Sequence, residues 1–301
     1  MRGAALWTLA RPAMVPWLWA LVGIGFGWAH WIGSWDLLRG PAFLGLLGAW
    51  LAVHAGTMWL NAALDRDEGE VLFGEAAALP EGISRVAYLA LGLGAALGLA
   101  VDERAGLCLV GAALLAVVYS HPRIAGKGHP LLGPAVNAIG YGLLAPGSGC
   151  LLLRQPFEAR TAGIGLLLAL GMLGLTFLAQ SFQREEDAAR GYRTLVVTHG
   201  PAACVFAARV ALGLGSLVYG LLVCLGEVPR LTVLGLLPLP YLLRRLAPTA
   251  AATRDALFRL GVCLLVALVL AGVDHLGCLL RGEPGAGLCV AARRDPVMTS
   301  R

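Results

Sequence analysis

Charged residues are scarce in this chain of 301 residues. Only 14% of them are charged, 58% are hydrophobic, and the mean hydropathy is +0.76. A composition this apolar excludes an ordinary soluble domain. Lysine is scarcer still, because Lys127 is the only one and arginine carries the remaining positive charge. The net charge of +5 comes without a basic stripe interleaved with aromatic residues, so it does not indicate nucleic-acid binding.

Paired cysteines and polar linkers are both missing. The seven cysteines are spread singly through apolar segments, and none forms a Cys-x-x-Cys pair. This spacing favours small buried packing residues over a disulfide framework or a metal site. No linker or low-complexity segment divides the chain. We therefore predict one transmembrane domain over residues 1–281 and a short polar tail over 282–301.

Long hydrophobic runs dominate the sequence. A transmembrane helix needs about 20 mostly apolar residues, and a helix satisfies its own backbone hydrogen bonds in lipid. The sequence therefore predicts an all-α, polytopic membrane bundle of about nine transmembrane helices. The candidate segments are 14–34, 42–64, 86–101, 105–120, 131–153, 162–182, 204–225, 230–243 and 257–281. The third, fourth and eighth are short for a membrane span.

The distribution of basic residues predicts the orientation of the bundle. With a cytoplasmic N-terminus, thirteen basic residues fall in cytoplasmic segments and five in the opposite loops, although the arginines of the C-terminal tail fall on the other side. Abundant arginine, alanine and glycine suggest a GC-rich gene. We expect an integral protein of a bacterial inner membrane.

Acidic residues are concentrated in two places. Nine of the eighteen lie within 65–81 and 185–187, directly after the second and sixth hydrophobic segments. Carboxylates clustered at a membrane border are costly unless a cation or a partner neutralises them. We therefore expect the chemistry at these two segments.

The first acidic segment begins inside the membrane. Asn61 and Asp65 are four residues apart and share one helix face, His54 lies two turns earlier on nearly the same stripe, and Asp67 follows. Oxygen ligands without cysteine suit a hard cation such as Mg²⁺, which takes one or two carboxylates and completes its shell with water and substrate phosphates. The alternative is a solvated charged loop that only ends a helix.

The second acidic segment carries amides where it leaves the membrane. Gln180, Gln183 and Asp187 recur at helical spacing, and Glu185 and Glu186 lie beside Asp187. This pattern predicts either a metal site opposite the first segment or an amphipathic turn with local ion pairs.

Between the acidic segments lie further polar candidates. Tyr119 precedes a loop that holds Arg123 and Lys127, two cations that suit a diphosphate but equally suit anchoring on the cytoplasmic side. Asn137 and Tyr141, four residues apart in an apolar segment, are candidates for ligand contact or for a helix–helix hydrogen bond.

Taken in order, these segments resemble the motifs of the UbiA superfamily of intramembrane prenyltransferases. Asn61-x-x-x-Asp65-Arg66-Asp67 resembles its first aspartate-rich motif, and Leu79–Ser84 the stretch that follows. Tyr119-Ser120-His121-Pro122 with Lys127 resembles the loop after the fourth helix. Glu185–Leu195 resembles the end of the second motif and its sequel.

The resemblance implies transfer of a prenyl group from a polyprenyl diphosphate to a lipophilic, often aromatic, acceptor with Mg²⁺ as cofactor. It assigns Asp65, Asp67 and Lys127 to catalysis and Asp65, Asp67 and Asp187 to the metal. We expect Asn61, Arg66, Tyr119, Arg123, Asn137 and Arg193 to bind the substrate.

Two departures from the family pattern leave an alternative open. Gln180 and Gln183 stand where the second motif has its first two aspartates, so this motif keeps only Asp187. A catalytically inactive protein that binds isoprenoid or a partner is therefore the rival hypothesis. A secondary transporter is less favoured, because no paired Gly/Pro interruption breaks a helix at mid-membrane.

Overall fold

A computed structural model describes residues 2–32, 39–65, 79–154 and 159–280, and these ranges contain helices and no strands. The α-helices are α1 Arg2–Leu9, α2 Val15–Ile32, α3 Gly40–Asp65, α4 Ile83–Val101, α5 Glu103–Ser120, α6 Leu132–Asn137, α7 Ala145–Leu152, α8 Ala159–Gln180, α9 Arg184–Ala189, α10 Leu195–His199, α11 Pro201–Cys224, α12 Leu239–Arg245 and α13 Ala250–Leu280. Short 3-10 turns cover Pro12–Met14, Gly126–Gly128 and Arg230–Leu236, and a π-helix covers Ala138–Leu144. The predicted tail, 282–301, lies outside the described residues.

The all-α membrane fold predicted from the sequence is confirmed. Within the described ranges eight helical segments are long and apolar enough to cross a membrane. They are α2, α3, α4, α5, the continuous run α6–π-helix–α7, α8, α11 and α13.

The ninth predicted segment, 230–243, has a different form. It folds as the 3-10 helix Arg230–Leu236 followed by the short α12. Pro229, Pro238 and Pro240 lie in or beside it, and each proline removes a backbone donor and restricts φ, which prevents one long helix. The segment packs against α13, where a Cβ at Gly235 would lie 3.0 Å from Ala267 Cβ.

The N-terminal half of the bundle has the larger core. Leu18, Leu46, Trp50, Leu109 and Leu152, from α2, α3, α5 and α7, belong to one buried cluster. The helices approach closely because small residues line their contacts. A Cβ added at Gly94 of α4 would lie 2.8 Å from the carbonyl oxygen of Ala49 in α3, so a larger residue cannot fit there.

The C-terminal half is packed more loosely. Phe177 and Leu178 of α8 meet Val205, Ala208 and Leu212 of α11 in a separate cluster. By contrast, α13 buries only 11% of its membrane-spanning window and exposes large apolar side chains such as Phe258 and Leu265. A helix that is apolar around its circumference and exposed on most sides suits contact with lipid.

Candidate functional site

The helices enclose a cavity of about 520 Å³ with lining residues from both halves of the bundle. Its polar lining includes Arg11, Asn61, Tyr119, Lys127, Asn137, Gln180, Gln183, Asp187, Arg190, Tyr192 and Thr194. Its apolar lining includes Leu167, Met172, Leu175, Leu212, Leu236, Leu260 and Leu264. A polar head group and an apolar tail can therefore bind in one continuous space.

The second acidic segment contributes one buried carboxylate to this cavity. The chain turns after α8 at Ser181 and Phe182, and α9 then places Asp187 inward while Glu185 stays exposed. Thr194 Oγ1 donates a hydrogen bond to Asp187 Oδ2 at 2.7 Å. Burial raises the pKa of the Asp187 carboxyl, whereas the Thr194 hydrogen bond and the positive charge of Arg190 oppose that rise. A nearby cation would favour its ionised form.

Lys127 connects the second acidic segment to the first. Its side chain is 7% exposed, and its Nζ lies 3.5 Å from Asn61 Oδ1 and 5.8 Å from the centroid of the Tyr192 ring. Burial, assisted by the charge of Arg190, lowers the pKa of Lys127 from 10.5 to about 7, while Asp187 opposes the shift. The ammonium form is therefore easily gained when an anion binds beside it.

Backbone contacts fix the turn that carries Lys127. The N–H of Arg193 donates to the carbonyl oxygen of Gly128 at 2.8 Å, which ties this turn to the loop after α9. A Cβ at Gly128 would lie 2.8 Å from Tyr192 Cδ1, so the Tyr192 ring packs directly on the glycine. The loop between α5 and α6 and the loop after α9 therefore form one unit around the cation.

Five of the residues predicted from the sequence line the same cavity. They are Asn61, Tyr119, Lys127, Asn137 and Asp187. Asn137 also donates from Nδ2 to the carbonyl oxygen of Gly133 at 3.3 Å, so its side chain is partly engaged within its own helix.

Two of the other predicted residues lie outside the cavity, and three have no described side chain. Arg123 and Arg193 are exposed and are not among its lining residues. Asp65 is the last residue of α3, but its side chain lies outside the described part of the structure, as do Arg66 and Asp67. The roles of these five residues stay predictions.

The cavity also contains residues that sequence reasoning did not select. Arg11 reaches it from the end of α1, where its backbone is left-handed with φ 50°. Arg190 lines it while pairing with Glu186 Oε1 at 2.6 Å, and Thr194 orients Asp187. Arg190 and Thr194 are close to the second acidic segment in sequence, which is a usable signal. Arg11 gives none, because it is distant from both acidic segments in sequence.

The oxygen atoms at the polar end fit a hard cation. Gln180 Oε1 is buried and has no hydrogen-bond partner among the described residues, and it lines the cavity with Asn61 and Asp187. Amide and carboxylate oxygens are suitable ligands for Mg²⁺. No group of three or more His, Cys, Asp or Glu side chains that could hold a metal is found in the described ranges. A cation here therefore needs amide or substrate oxygens, or carboxylates from the first acidic segment.

A sequence model of the UbiA prenyltransferase family matches residues 13–262 of the chain. The chain is also similar to a solved UbiA homologue from Archaeoglobus fulgidus bound to DMAPP and Mg²⁺, with 20% identity and a TM-score of 0.64 over 89% of this chain and 99% of that one. The same homologue bound to GPP and Mg²⁺ matches with 18% identity and a TM-score of 0.63, covering 89% and 99%. No curated protein matches the chain.

A second solved structure has the same TM-score. A structure of digeranylgeranylglyceryl phosphate synthase matches with 16% identity and a TM-score of 0.64, over 90% of this chain and 97% of that one. Because these sequence identities are low, the structural similarities establish the fold alone. The resemblance predicted from the motifs is confirmed by the family match.

Proposed function

This chain belongs to the UbiA prenyltransferase family, and we propose that it transfers a prenyl group from a polyprenyl diphosphate to a lipophilic acceptor with Mg²⁺ as cofactor. One observation carries the proposal. Asn61, Lys127 and Asp187, from three separate segments, line the polar part of a single cavity with extensive apolar lining. A diphosphate head with a prenyl tail has this same division of polarity.

The polar residues would bind and orient the diphosphate. Lys127 supplies an ammonium group to phosphate oxygens once it is protonated, and Arg11 and Arg190 bring guanidinium groups to the same cavity. Asn61, Gln180 and Asp187 offer oxygen ligands for Mg²⁺, with Asp65 and Asp67 proposed as further ligands. The cation supplies charge neutralisation for the departing diphosphate when it is bound.

The apolar residues would hold the prenyl chain and exclude water. Leu175, Leu212, Leu236 and Leu260 line this part of the cavity. An allylic cation formed next to the diphosphate is destroyed by water, so a dry wall favours transfer to the acceptor over hydrolysis. The remaining assignments are Arg66, Arg123 and Arg193 as cations near the phosphates, with Tyr119 and Asn137 as substrate contacts.

The solved relatives support the donor class and the cofactor. The Archaeoglobus homologue was obtained with DMAPP or GPP together with Mg²⁺. Both are short prenyl diphosphates, and the same fold surrounds the cavity of this chain. We further propose that the N-terminus is cytoplasmic and that the protein lies in a bacterial inner membrane.

The second motif favours one rival function. Gln180 and Gln183 bring no charge to the cavity they line, so the described part of the site has Asp187 as its only buried carboxylate. An inactive protein that binds isoprenoid, or a partner, would retain the cavity without ionising the diphosphate.

Mg²⁺-dependent release of diphosphate from geranyl diphosphate separates the two functions. We expect turnover by the wild type and its loss in Asp65→Asn with Asp67→Asn, while Glu185→Gln, an exposed neighbour of the second motif, behaves as wild type. Tight donor binding without turnover across many acceptors would favour the inactive protein. Unchanged release in the double variant would contradict the assigned site.

A further inference from the structure

A histidine and a tyrosine lie together, each near the middle of its candidate membrane span. His54 is eleven residues before the end of α3, which corresponds to about 16 Å along the helix, and only 1% of its surface is exposed. Tyr141 comes from the π-helix between α6 and α7. Both side chains line the cavity. Polar and ionisable groups at this depth are costly and are usually functional.

The two side chains form a defined pair. His54 Nδ1 and the Tyr141 hydroxyl share a hydrogen bond of 3.2 Å, and the rings meet edge to face with centroids 6.2 Å apart. Thr57, which lines the same cavity, lies close to the Tyr141 hydroxyl and donates its own hydrogen bond to the carbonyl oxygen of Val53 at 2.8 Å. The pair therefore has a fixed orientation between α3 and the π-helix.

The hydrogen bonding of this pair is incomplete. His54 Nε2 is buried and has no hydrogen-bond partner among the described residues. The carbonyls of Ala10 and Arg11 lie beside the ring without hydrogen-bond geometry to this atom. A bond made only to join two helices does not need a ring nitrogen left unsatisfied in an apolar span, so the orphaned atom calls for a separate explanation.

The π-helix is a second indication of a ligand. Its closing bond runs from Ala145 N–H to the carbonyl oxygen of Gly140, five residues back, and Tyr141 lies within the widened turns. Segments of this kind are rare and are frequently found at functional sites, because the extra residue per turn changes the direction of nearby side chains.

The position of the pair suits a second substrate. His54 precedes Asn61 by seven residues, which places the pair about 10 Å along α3 from the polar end of the cavity. A reacting acceptor must lie within about 3–3.5 Å of the prenyl carbon that leaves the diphosphate. An acceptor anchored at the pair can extend toward that carbon.

We propose that His54 and Tyr141 are specificity-determining residues of this chain, and that they bind a hydroxyl group of the acceptor. The proposal rests on the proposed prenyl transfer. The hydroxyl would complete the hydrogen bonding of the pair and would fix the acceptor beside the prenyl chain. Tyr141 and His54 act here as binding residues that set acceptor specificity.

Two matched probes test the subsite without knowledge of the natural acceptor. 1-Naphthol carries the hydroxyl, and 1-methylnaphthalene keeps the ring but can neither donate nor accept a hydrogen bond. Binding of each to the full chain in nanodiscs is compared with protein-free nanodiscs, with and without geranyl diphosphate and Mg²⁺. We expect the wild type to prefer the naphthol at least about tenfold, because a buried polar site rejects an analogue that leaves it unpaired.

Variants assign the preference to the pair. Tyr141→Phe and His54→Leu should bind both probes equally, whereas His54→Gln, which can still hydrogen-bond, should recover part of the preference. Tyr88→Phe on the exposed face of α4 and His199→Gln at the end of α10 are the matched controls and should keep the wild-type ratio. Equal binding of the two probes by the wild type would overturn the proposal. So would a Tyr141→Phe variant that loses thermal stability but keeps the preference, since the bond would then only join helices.

Donor binding distinguishes failure of the subsite from failure of the proposed function. Geranyl diphosphate binding with Mg²⁺ is measured on the same samples. If the donor binds and turns over but the naphthol preference is absent, the subsite is wrong and prenyl transfer stands. If the preference is present but the donor does not bind, the subsite stands as a ligand site and the proposed transfer is wrong.

Discussion

The polar and apolar parts of the cavity are built in different ways. The polar part takes Lys127 from the 3-10 turn Gly126–Gly128 and Asp187 from α9, both outside the membrane spans. The loops beside them are joined by contacts such as the Arg193–Gly128 bond. The apolar part is lined by leucines of the long helices α8, α11 and α13 and of the 3-10 helix Arg230–Leu236. The charge of the cavity therefore comes from a few side chains, whereas the shape of the cavity depends on how the long helices pack. Substitutions in the two parts should affect different properties.

The largest effect should come from Asp187. Asp187→Asn removes the buried carboxylate of the second motif, and we expect diphosphate release to fall at least about 100-fold, because the Mg²⁺ that would neutralise the departing diphosphate loses a carboxylate ligand. Release from geranyl diphosphate at saturating Mg²⁺ is the measurement. Glu185→Gln provides the exposed control two residues away and should stay within about twofold. Equal losses in both variants would assign the effect to the general charge of the loop.

A smaller but pH-dependent effect should come from Lys127. We expect Lys127→Met to weaken binding of geranyl diphosphate about 10- to 100-fold, because a buried phosphate contact loses its positive partner. In the wild type the pKa of Lys127 is about 7 in the ligand-free protein. Binding that requires the ammonium form should be constant below pH 7 and should weaken up to about tenfold per pH unit above it.

Lys127→Arg is the matched control for that titration. Arginine stays charged, so this variant should bind the donor with little dependence on pH between 6 and 9, apart from the titration of the donor itself. Lys127→Met should show the same residual dependence at lower affinity. A wild-type slope that persists in both variants would assign the titration to another group.

At the apolar part we expect a change in preference without a loss of chemistry. Gly171 of α8 lines the cavity, and a Cβ added there would meet nothing within 4 Å. Gly171→Leu should fill part of this space and lower the use of geranylgeranyl diphosphate relative to dimethylallyl diphosphate about tenfold. Gly213→Leu on α11 also meets open space but is outside the lining, so its ratio should match the wild type. Equal losses for both donors would show that the prenyl chain does not bind beside Gly171.

The smallest effect should come from the ion pair between Glu186 and Arg190. Their side chains are 26% and 22% exposed, and the two residues lie one helical turn apart on α9 and the residue that follows it. Pairs of this kind contribute little, so Glu186→Gln should change donor affinity by no more than about threefold. A tenfold loss would instead show that Glu186 positions Arg190 against the donor. The same donor-binding measurement decides between these results.

Much of the fold was predicted from the sequence, and segment 230–243 shows where such a prediction is incomplete. Eight runs of apolar residues predicted the eight long helices, because a lipid-facing backbone permits few other structures. Segment 230–243 is equally apolar, yet it forms a 3-10 helix and the short α12. Its prolines were visible in the sequence and interrupt a helix locally, whereas its packing against α13 could not be read from the sequence.

The candidate site was predicted in part. Asn61, Lys127 and Asp187 were selected because each lies in a local pattern at the end of an apolar segment. Arg11 and Gln180 were not assigned to the site, although both line the cavity. Arg123 and Arg193 were assigned by the same local reasoning as Lys127, and the structure places them at the surface. Local spacing identifies a loop but not which of its side chains faces inward.

The sequence by itself determined the membrane class, the eight long spans and the family. Apolar length is a local property that the bilayer translates directly into helices, and the family motifs are short and continuous.

Only the tertiary structure decided which groups share a cavity. Asn61 and Lys127 are 66 residues apart and His54 and Tyr141 are 87 apart, yet both pairs lie within hydrogen-bonding distance. Such contacts depend on how whole helices pack against one another, and small residues such as Gly94 permit that packing only when the partner helix is in place.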